Sequence, residues 1–153
     1  MLFRGRKSPA NTSLEAHALT VEQILPAIGV DPIQARLPTE TGYGWTFQRG
    51  SATIEIFISL QNNVGYFQVL APILHLPQSG LLPLYRRMLE LNLQLTNAAL
   101  GIYADTVYIF SERPLQGLDA DEANQIITLV ASYADDLDNQ LVEEFGGRLY
   151  RKV

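Results

Sequence analysis

The longest regular pattern of apolar positions in the chain runs from Asp119 to Phe145 and predicts one amphipathic helix. Asp119 can cap the start of this helix, and Gly146-Gly147 can end it. The apolar residues recur at spacings of three and four, so they share one stripe of a helix with 3.6 residues per turn. They are Ala123, Ile126, Ile127, Val130, Ala134, Leu137, Leu141 and Phe145. A stripe of this length has to be covered, and the rest of the chain must supply the apolar surface that covers it.

Before this helix the chain contains a stretch whose apolar residues recur at every second position, as is typical of strands. Arg49-Gly50 and Asn62-Asn63 divide this stretch and are predicted to be two-residue turns, since Gly and Asn tolerate left-handed backbone conformations. Pro72 is predicted to end the last strand. The three strands of this antiparallel meander are predicted at residues 42–48, 53–60 and 64–71.

Helical patterns flank the meander on both sides. A short helix is predicted to start at Thr20, and Pro26 indicates either that this helix is broken or that its start is misjudged. A second helix holds Pro83 in its first turn. Two short strands at residues 100–103 and 106–111 precede the long helix. The order α-β-β-β-α-β-β-α predicts an α+β fold, with an antiparallel sheet of about five strands flanked by helices.

The 153 residues are expected to form one domain at residues 15–147. The segment before it, residues 1–14, has no apolar periodicity and is predicted to be a mobile basic tail. Residues 148–153 are predicted to be a short basic C-terminal tail. Six of the eleven basic residues lie in these two tails.

The body of the chain is acidic. Residues 20–147 contain five arginines and fifteen carboxylates, a net charge of −10. Such a body repels phosphate backbones, so we expect no nucleic-acid partner. The sequence has no apolar run long enough to cross a membrane and no signal-like apolar segment at its start. The absence of cysteine fits a reducing compartment, and we expect a soluble, cytoplasmic protein without a membrane partner.

The residues that usually carry catalysis or bind metals are few and unfavourably spaced. His17 and His75 are the only histidines, and no second ligand stands at a metal-binding spacing from either. No serine lies in a nucleophile elbow, and Gly42-Tyr43-Gly44 lacks the rest of a phosphate-binding loop. We therefore expect neither an enzyme nor a bound cofactor or metal.

The two predicted turns fix which residues face each other in the meander. They pair Trp45 with Ile54, and Ile58 with Phe67, so these apolar residues share the face that the helices must cover. The other face is expected to be polar and solvated, as in many antiparallel sheets.

Three large side chains do not fit the predicted polar face: Phe57, Tyr66 and Leu70. Phe57 is expected opposite Gln68, with Tyr66 and Leu70 as its diagonal neighbours, within reach of an aromatic ring. An exposed cluster of this kind marks a partner-binding or homodimer surface. Three alternatives remain: the cluster supports the strands, the N-terminal segment covers it, or a one-residue change in a turn moves it to the core.

Two short motifs, combined with the order of elements, carry a family resemblance. The motifs are Glu90-Leu91-Asn92 and the run from Glu112 to Glu122, which includes Pro114-Leu115-Gln116-Gly117-Leu118. Over roughly residues 20–145 the chain resembles the YbjN-like family, whose fold is that of type III secretion chaperones.

The resemblance implies an α+β domain without known enzymatic activity, in a family associated with the regulation of sensory transduction or stress responses. Related secretion chaperones are small acidic homodimers that hold an unfolded segment of a partner protein. We therefore expect a non-enzymatic protein-binding module, chaperone-like or regulatory, that binds a protein or peptide segment and can form a homodimer. The alternative is a small-molecule or signal-sensing domain with an apolar pocket between the sheet and the helices.

Overall fold

The computed structural model of the chain describes residues 9–39 and 43–151, with side chains from residue 14 onward. The first eight residues of the predicted N-terminal tail, including its three basic residues, lie outside the described part. So do residues 40–42 and 152–153. The helices are α1 (Pro9–Ala27), α2 (Pro32–Ala35), α3 (Leu81–Asn92) and α4 (Ala120–Phe145). The strands are β1 (Arg36–Leu37), β2 (Gly44–Arg49), β3 (Ala52–Gln61), β4 (Val64–His75), β5 (Ala99–Tyr103), β6 (Thr106–Pro114) and β7 (Arg148–Leu149).

The strands form one antiparallel sheet in the order β1-β2-β3-β4-β6-β5, and β7 pairs with β4 off this path. This arrangement confirms the predicted α+β fold with an antiparallel sheet and flanking helices. The two strands beyond the expected five are β1 and β7. Each contains only two residues, too few to show an alternating pattern in the sequence.

The hairpin between β3 and β4 has the predicted register. Ile58 lies opposite Phe67 and Phe57 lies opposite Gln68. The turn residues Asn62-Asn63 have φ angles of 51° and 64°, the left-handed region that Asn tolerates.

The predicted turn between β2 and β3 is wrong by one residue. The strands end in the pair Arg49–Ala52, so the turn is Gly50-Ser51, and Trp45 lies opposite Ile56 instead of Ile54. Gly50 has a φ of 62° and is the first turn residue, as in a type II′ turn. The two-residue turn lies one position later than predicted, so each residue of β2 pairs with a residue two positions further along β3. Side chains alternate between the faces with a period of two, so every side chain keeps its predicted face.

The predicted end of the third strand at Pro72 is also wrong. β4 continues to His75, with a bulge between Pro72 and Leu74. The pairing with β3 stops at Leu70. Pro72 is the next residue whose backbone points to that side, so its missing N–H removes no hydrogen bond with β3.

The long helix α4 confirms its prediction, and Asp119 caps it by accepting a hydrogen bond of 2.8 Å from the N–H of Glu122. The first helix does not start at Thr20, and the second explanation for Pro26, a misjudged start, is confirmed, since α1 begins at Pro9 and extends into the predicted tail. Thr20 is not a cap, because its hydroxyl donates back to the carbonyl of Ala16 in the preceding turn. Pro26 lies in the last turn of α1 and does not break the helix.

One face of the sheet is covered by helices α1 and α4, with α3 beside β5 and α4. Six residues of the predicted stripe of α4 are buried, and the other two, Ile126 and Phe145, are partly buried against the core. Ala131 is also buried, although the predicted stripe did not include it. Alternate residues of the central strands meet them. The largest fully buried side chains are Trp45, Phe67, Leu25, Ile54, Ile56, Leu74, Leu84, Ile109, Ile127 and Leu141.

Candidate partner-binding face

The side of β3, β4 and β6 that points away from this core is called the open face here. It carries five large side chains, all half-buried: Phe57, Tyr66, Leu70, Tyr108 and Phe110. In the part of the chain that the structure describes, none of these five belongs to the core cluster or packs against it. Their partial burial therefore comes from their neighbours within the sheet, and an edge of each remains accessible.

The three residues that the sequence analysis grouped lie together as predicted. Tyr66 pairs with Ser59 and Leu70 pairs with Glu55, so both are diagonal neighbours of Phe57 across the two strands. The Phe57 ring extends over Gly44 on β2, where an added Cβ would lie 2.7 Å from its Cε1 atom. Any larger residue at this position would displace the ring.

The described N-terminal segment does not cover these residues. Helix α1 lies on the opposite face, where Val21 and Leu25 are completely buried. On that same face the His17 ring occupies the space into which a Cβ on Gly65 would point. Cross-strand support is present, since the three side chains are half-buried. Their role in binding a partner stays a prediction.

Two members of the open face were missed by the sequence analysis. Phe110 lies opposite Leu70, and Tyr108 lies opposite Pro72. The pairing of β4 with β6 joins strands that are far apart in sequence, so no turn fixes their register. The available signal was alternation, because Val107 and Ile109 are fully buried and the residues between them must point the other way.

Carboxylates lie among these aromatic side chains. Glu112 accepts a hydrogen bond of 2.6 Å from the amide of Gln68, its partner across the strands. Glu55 is half-buried opposite Leu70. Burial raises the pKa of the Tyr108 phenol above its usual 10.0, and the charge of Glu55 raises this pKa further. The open face is therefore aromatic and negatively charged.

The C-terminal segment reaches the margin of the open face. The N–H of Tyr150 donates a hydrogen bond of 2.9 Å to the carbonyl of Ile73, and its ring lies 5.6 Å from that of His75. Burial, followed by the charge of Glu55, raises the pKa of Tyr150 as well. Part of the predicted C-terminal tail is thus attached to the sheet through β7.

The residues of the first family motif fix α3 against β5. Asn92 accepts a hydrogen bond of 2.7 Å from the N–H of Leu100 and donates one of 3.3 Å to its carbonyl. One side-chain amide thus satisfies both backbone groups that Leu100 directs away from β6.

The second motif fixes the turn between β6 and α4. Arg113 donates to the carbonyls of Pro114 and Gln116 at 2.6 and 2.7 Å, and it forms an ion pair with Glu122. The N–H of Leu115 donates to the carbonyl of Gly65 at 2.8 Å. The contacts of both motifs therefore stabilise the fold.

A second apolar surface lies on α3. Leu82, Leu89 and Leu93 are 79%, 68% and 91% exposed. Leu82 and Leu89 lie on one stripe of α3, and Leu93, the C-cap residue with a helical backbone conformation, continues that stripe. Ile102 and Tyr103 of the neighbouring edge strand β5 are also exposed.

A cavity of about 480 Å³ lies where β6 extends past the start of β5, against the first turns of α4. Phe110 and Ile126 provide its apolar walls, while Arg113, Glu112 and Glu122 provide charged ones. Among the described residues, no three potential ligands come together in a way that could hold a metal ion. Within the same residues, no helix combines the length and the hydropathy needed to cross a membrane.

Three solved structures resemble this chain at 10–14% sequence identity, a level at which they show the fold alone. The crystal structure of the ExsC–ExsE complex matches with a TM-score of 0.61 and 10% identity, covering 84% of this chain and 95% of the other. The HopA1–SchA chaperone–effector complex matches with 0.59 and 10%, covering 86% and 99%. YbjN from E. coli matches with 0.58 and 14%, covering 88% and 96%.

No curated protein sequence matches the chain significantly. The family model of T3SS (YopN, CesT) and YbjN peptide-binding chaperones matches residues 38–153, about three quarters of the sequence. This match confirms the resemblance found from the two motifs, and it makes the chain a protein-binding module. The chain belongs to the family of T3SS (YopN, CesT) and YbjN peptide-binding chaperones.

Proposed function

We propose that this chain binds an extended segment of a partner protein on its open face. The observation that carries the proposal is the position of Phe57, Tyr66, Leu70 and Phe110, which form an apolar surface outside the helix-covered core. Aromatic side chains are enriched in the cores of protein interfaces, where they contribute much of the binding energy.

The charge of the molecule indicates which segment fits. Glu55 and Glu112 lie within the open face, and residues 20–147 carry a net charge of −10. A segment that combines apolar and basic residues is therefore favoured, because its charges are attracted during encounter and its apolar groups cover the aromatic rings. An acidic segment would be repelled.

The test uses two sets of synthetic peptides that share alternating apolar positions and carry either basic or acidic residues between them. We expect the basic set to bind and the substitution Phe57→Asp to weaken this binding at least tenfold, about 1.4 kcal/mol. Leu19→Asp is the matched control, since Leu19 is exposed on α1, away from the open face. Equal binding by the two variants, or no binding of either peptide set to the wild type, would refute the proposal.

We also propose that two copies of the chain associate through α3. Arg86 and Glu90 form an ion pair on this helix, beside the exposed leucines. When two such helices pack antiparallel about a two-fold axis, Arg86 meets the partner's Glu90 and the leucine stripes face each other. The surface is therefore complementary to itself, as a two-fold interface requires.

Leu89→Asp should convert a dimer into a folded monomer when measured by light scattering and thermal melting. Leu19→Asp should leave the mass unchanged. If Phe57→Asp dissociated the dimer and Leu89→Asp did not, the open face would be the dimer surface. A wild-type chain that is monomeric at micromolar concentration would exclude the dimer at that concentration.

The open face and the exposed stripe support binding without catalysis, and the family is one of chaperones. We propose that the chain has no enzymatic activity and acts in the cytoplasm, where a reducing environment suits a protein without cysteine. The cavity between β6 and α4 supports the alternative role of a small-molecule sensor. Native mass spectrometry of the purified protein tests it, because a sensor should retain a ligand of defined mass.

A further inference from the structure

One edge of β4 is closed by the chain's own C-terminal segment. The pairing with β3 ends at Leu70, and β4 continues to His75. Beside this extension lies β7, with Leu149 opposite Leu74 and Arg148 opposite His75. The hydrogen bond from Tyr150 to Ile73 adds one more rung. β7 thus takes the place alongside β4 that β3 leaves empty.

The attachment of β7 to the fold is slight. The strand has only two residues; Arg148 is exposed, while Leu149 and Tyr150 are half-buried. It follows Gly146-Gly147, which allow the chain to turn away from the end of α4. Its main contacts with other elements are with β4 and α4. A short strand with little buried apolar surface opens locally at a small fraction of the global stability.

The sequence of the C-terminal segment indicates which kind of strand can pair with the edge of β4. Residues 148–151 read Arg-Leu-Tyr-Arg, in which basic and apolar side chains share a short extended run. Leu149 lies beside the fully buried Leu74. The Tyr150 ring packs on His75 at the margin of the open face, near Glu55. The combination of basic and apolar residues is the one that the charge of the open face favours.

We propose that β7 is an internal stand-in for the partner segment. A partner strand that carries basic and apolar residues displaces β7, pairs with residues 73–75 of β4, and continues over the aromatic side chains of the open face. An added strand gains main-chain hydrogen bonds from the exposed edge and side-chain contacts from the adjoining surface. This inference rests on the proposed function and adds the sheet edge where the partner strand pairs and the segment with which it competes.

The competition has a quantitative consequence. A tethered strand competes at an effective concentration on the order of millimolar, so even weak docking of β7 reduces the apparent affinity for a free peptide. Removing the competitor should restore that affinity. A partner that continues along the open face makes contacts that β7 does not, and this difference allows it to displace β7.

The variant Gly147→Ala prevents β7 from docking without changing any residue of β7 or of the open face. Gly147 has a φ of 93°, and an added Cβ would lie 2.5 Å from the carbonyl oxygen of His75. Gly50→Ala is the matched control: its φ of 62° causes similar backbone strain, but nothing lies within 4 Å of an added Cβ. A chain that ends at Gly147 provides an independent way to remove β7.

The probe is a fluorescent synthetic peptide with the sequence of residues 148–153, measured by fluorescence anisotropy. We expect Gly147→Ala and the shortened chain to bind it at least ten times more tightly than the wild type and Gly50→Ala do. A peptide with glutamate in place of its basic residues should bind none of them. Equal affinity of the wild type, Gly147→Ala and the shortened chain would overturn the inference.

Hydrogen exchange on the unmodified chain tests the same opening without any variant. The Tyr150 amide should exchange much faster than the central amides of β4, and added basic peptide should accelerate it further. If the Tyr150 amide exchanged only with global unfolding, β7 would be a fixed part of the fold and the inference would be wrong. Binding that is lost in Phe57→Asp but unaffected by β7 would refute this inference alone and leave the proposed function intact.

Discussion

Ile56 and Phe57 are adjacent residues of β3, yet they lie in different environments. Ile56 is completely buried beneath the helices, whereas Phe57 is half-buried on the open face and lies outside the core cluster. The same alternation continues on β4, where Phe67 is buried and Tyr66 is not. The two faces thus differ less in apolar content than in what covers them.

The chemistry of the two faces differs in a way that fits this contrast. The covered face is apolar and includes aromatic as well as aliphatic side chains, among them Trp45, Ile56 and Phe67. The open face combines aromatic rings with Glu55 and Glu112. Aromatic side chains offer large contact areas while neighbouring carboxylates keep the surface hydrated. A face built this way can remain exposed in the free protein and still bind a partner.

The largest expected effect on stability comes from truncating one side chain on each face of β3. Ile56→Ala should lower the free energy of unfolding by about 2–5 kcal/mol, because it leaves a cavity under the helices. Phe57→Ala should cost less than half as much, since its ring is already partly in water. Urea unfolding of both variants measures the difference. A Phe57→Ala loss equal to that of Ile56→Ala would mean that the open face is part of the core.

The sequence predicts the elements whose signals are local. α4 follows from its stripe and its Asp119 cap, and the β3–β4 hairpin follows from Asn62-Asn63. The elements it misses depend on distant contacts. β7 pairs with the edge of β4 beyond the end of the β3 pairing, a position that its own sequence does not indicate, and the start of α1 carries a weak apolar pattern.

The candidate site follows the same division. Phe57, Tyr66 and Leu70 could be grouped from one hairpin, because a tight turn fixes their register. Phe110 and Tyr108 join them through the pairing of β4 with β6, which no local signal determines. Phe57, Tyr66 and Leu70 lie together although the turn between β2 and β3 was misplaced, because a shift of two residues leaves each side chain on the same face.

A second, smaller effect on stability is expected at the β5 edge of the sheet, which contrasts with the edge of β4 that β7 covers. Asn92 on α3 satisfies both outward backbone groups of Leu100 with one amide, so this edge is closed by a fixed side chain. Asn92→Ala should lower the free energy of unfolding by about 1–3 kcal/mol, because two partly buried groups lose their partner. Asn139→Ala, at an exposed position of α4, is the control and should change it by less than about 0.5 kcal/mol. Equal urea midpoints for the two variants would show that water replaces the amide of Asn92 without loss.

The smallest effect appears only in alkaline solution and comes from the open face. Burial and then Glu55 raise the pKa of Tyr108 above 10.0 in the folded chain, so the folded state holds the phenolic proton more tightly than the unfolded state does. The resulting stability is complete below pH 10 and is lost as the pH rises through the folded-state pKa. Tyr108→Phe should therefore make the loss of stability above pH 10 shallower, as measured by urea unfolding at several pH values.

The variant Glu55→Gln separates the two causes of the raised pKa of Tyr108, because it removes the charge of Glu55 and leaves the burial of the phenol. Burial is the larger cause of the raised pKa of Tyr108, so Glu55→Gln should flatten the alkaline loss less than Tyr108→Phe does. It should also affect Tyr150, whose pKa the same carboxylate raises. The comparison is therefore made in chains that carry Tyr150→Phe, and equal flattening by Glu55→Gln and Tyr108→Phe there would mean that charge outweighs burial at Tyr108. The open face would then be more hydrated than its half-buried rings indicate, and a partner would gain less by covering it.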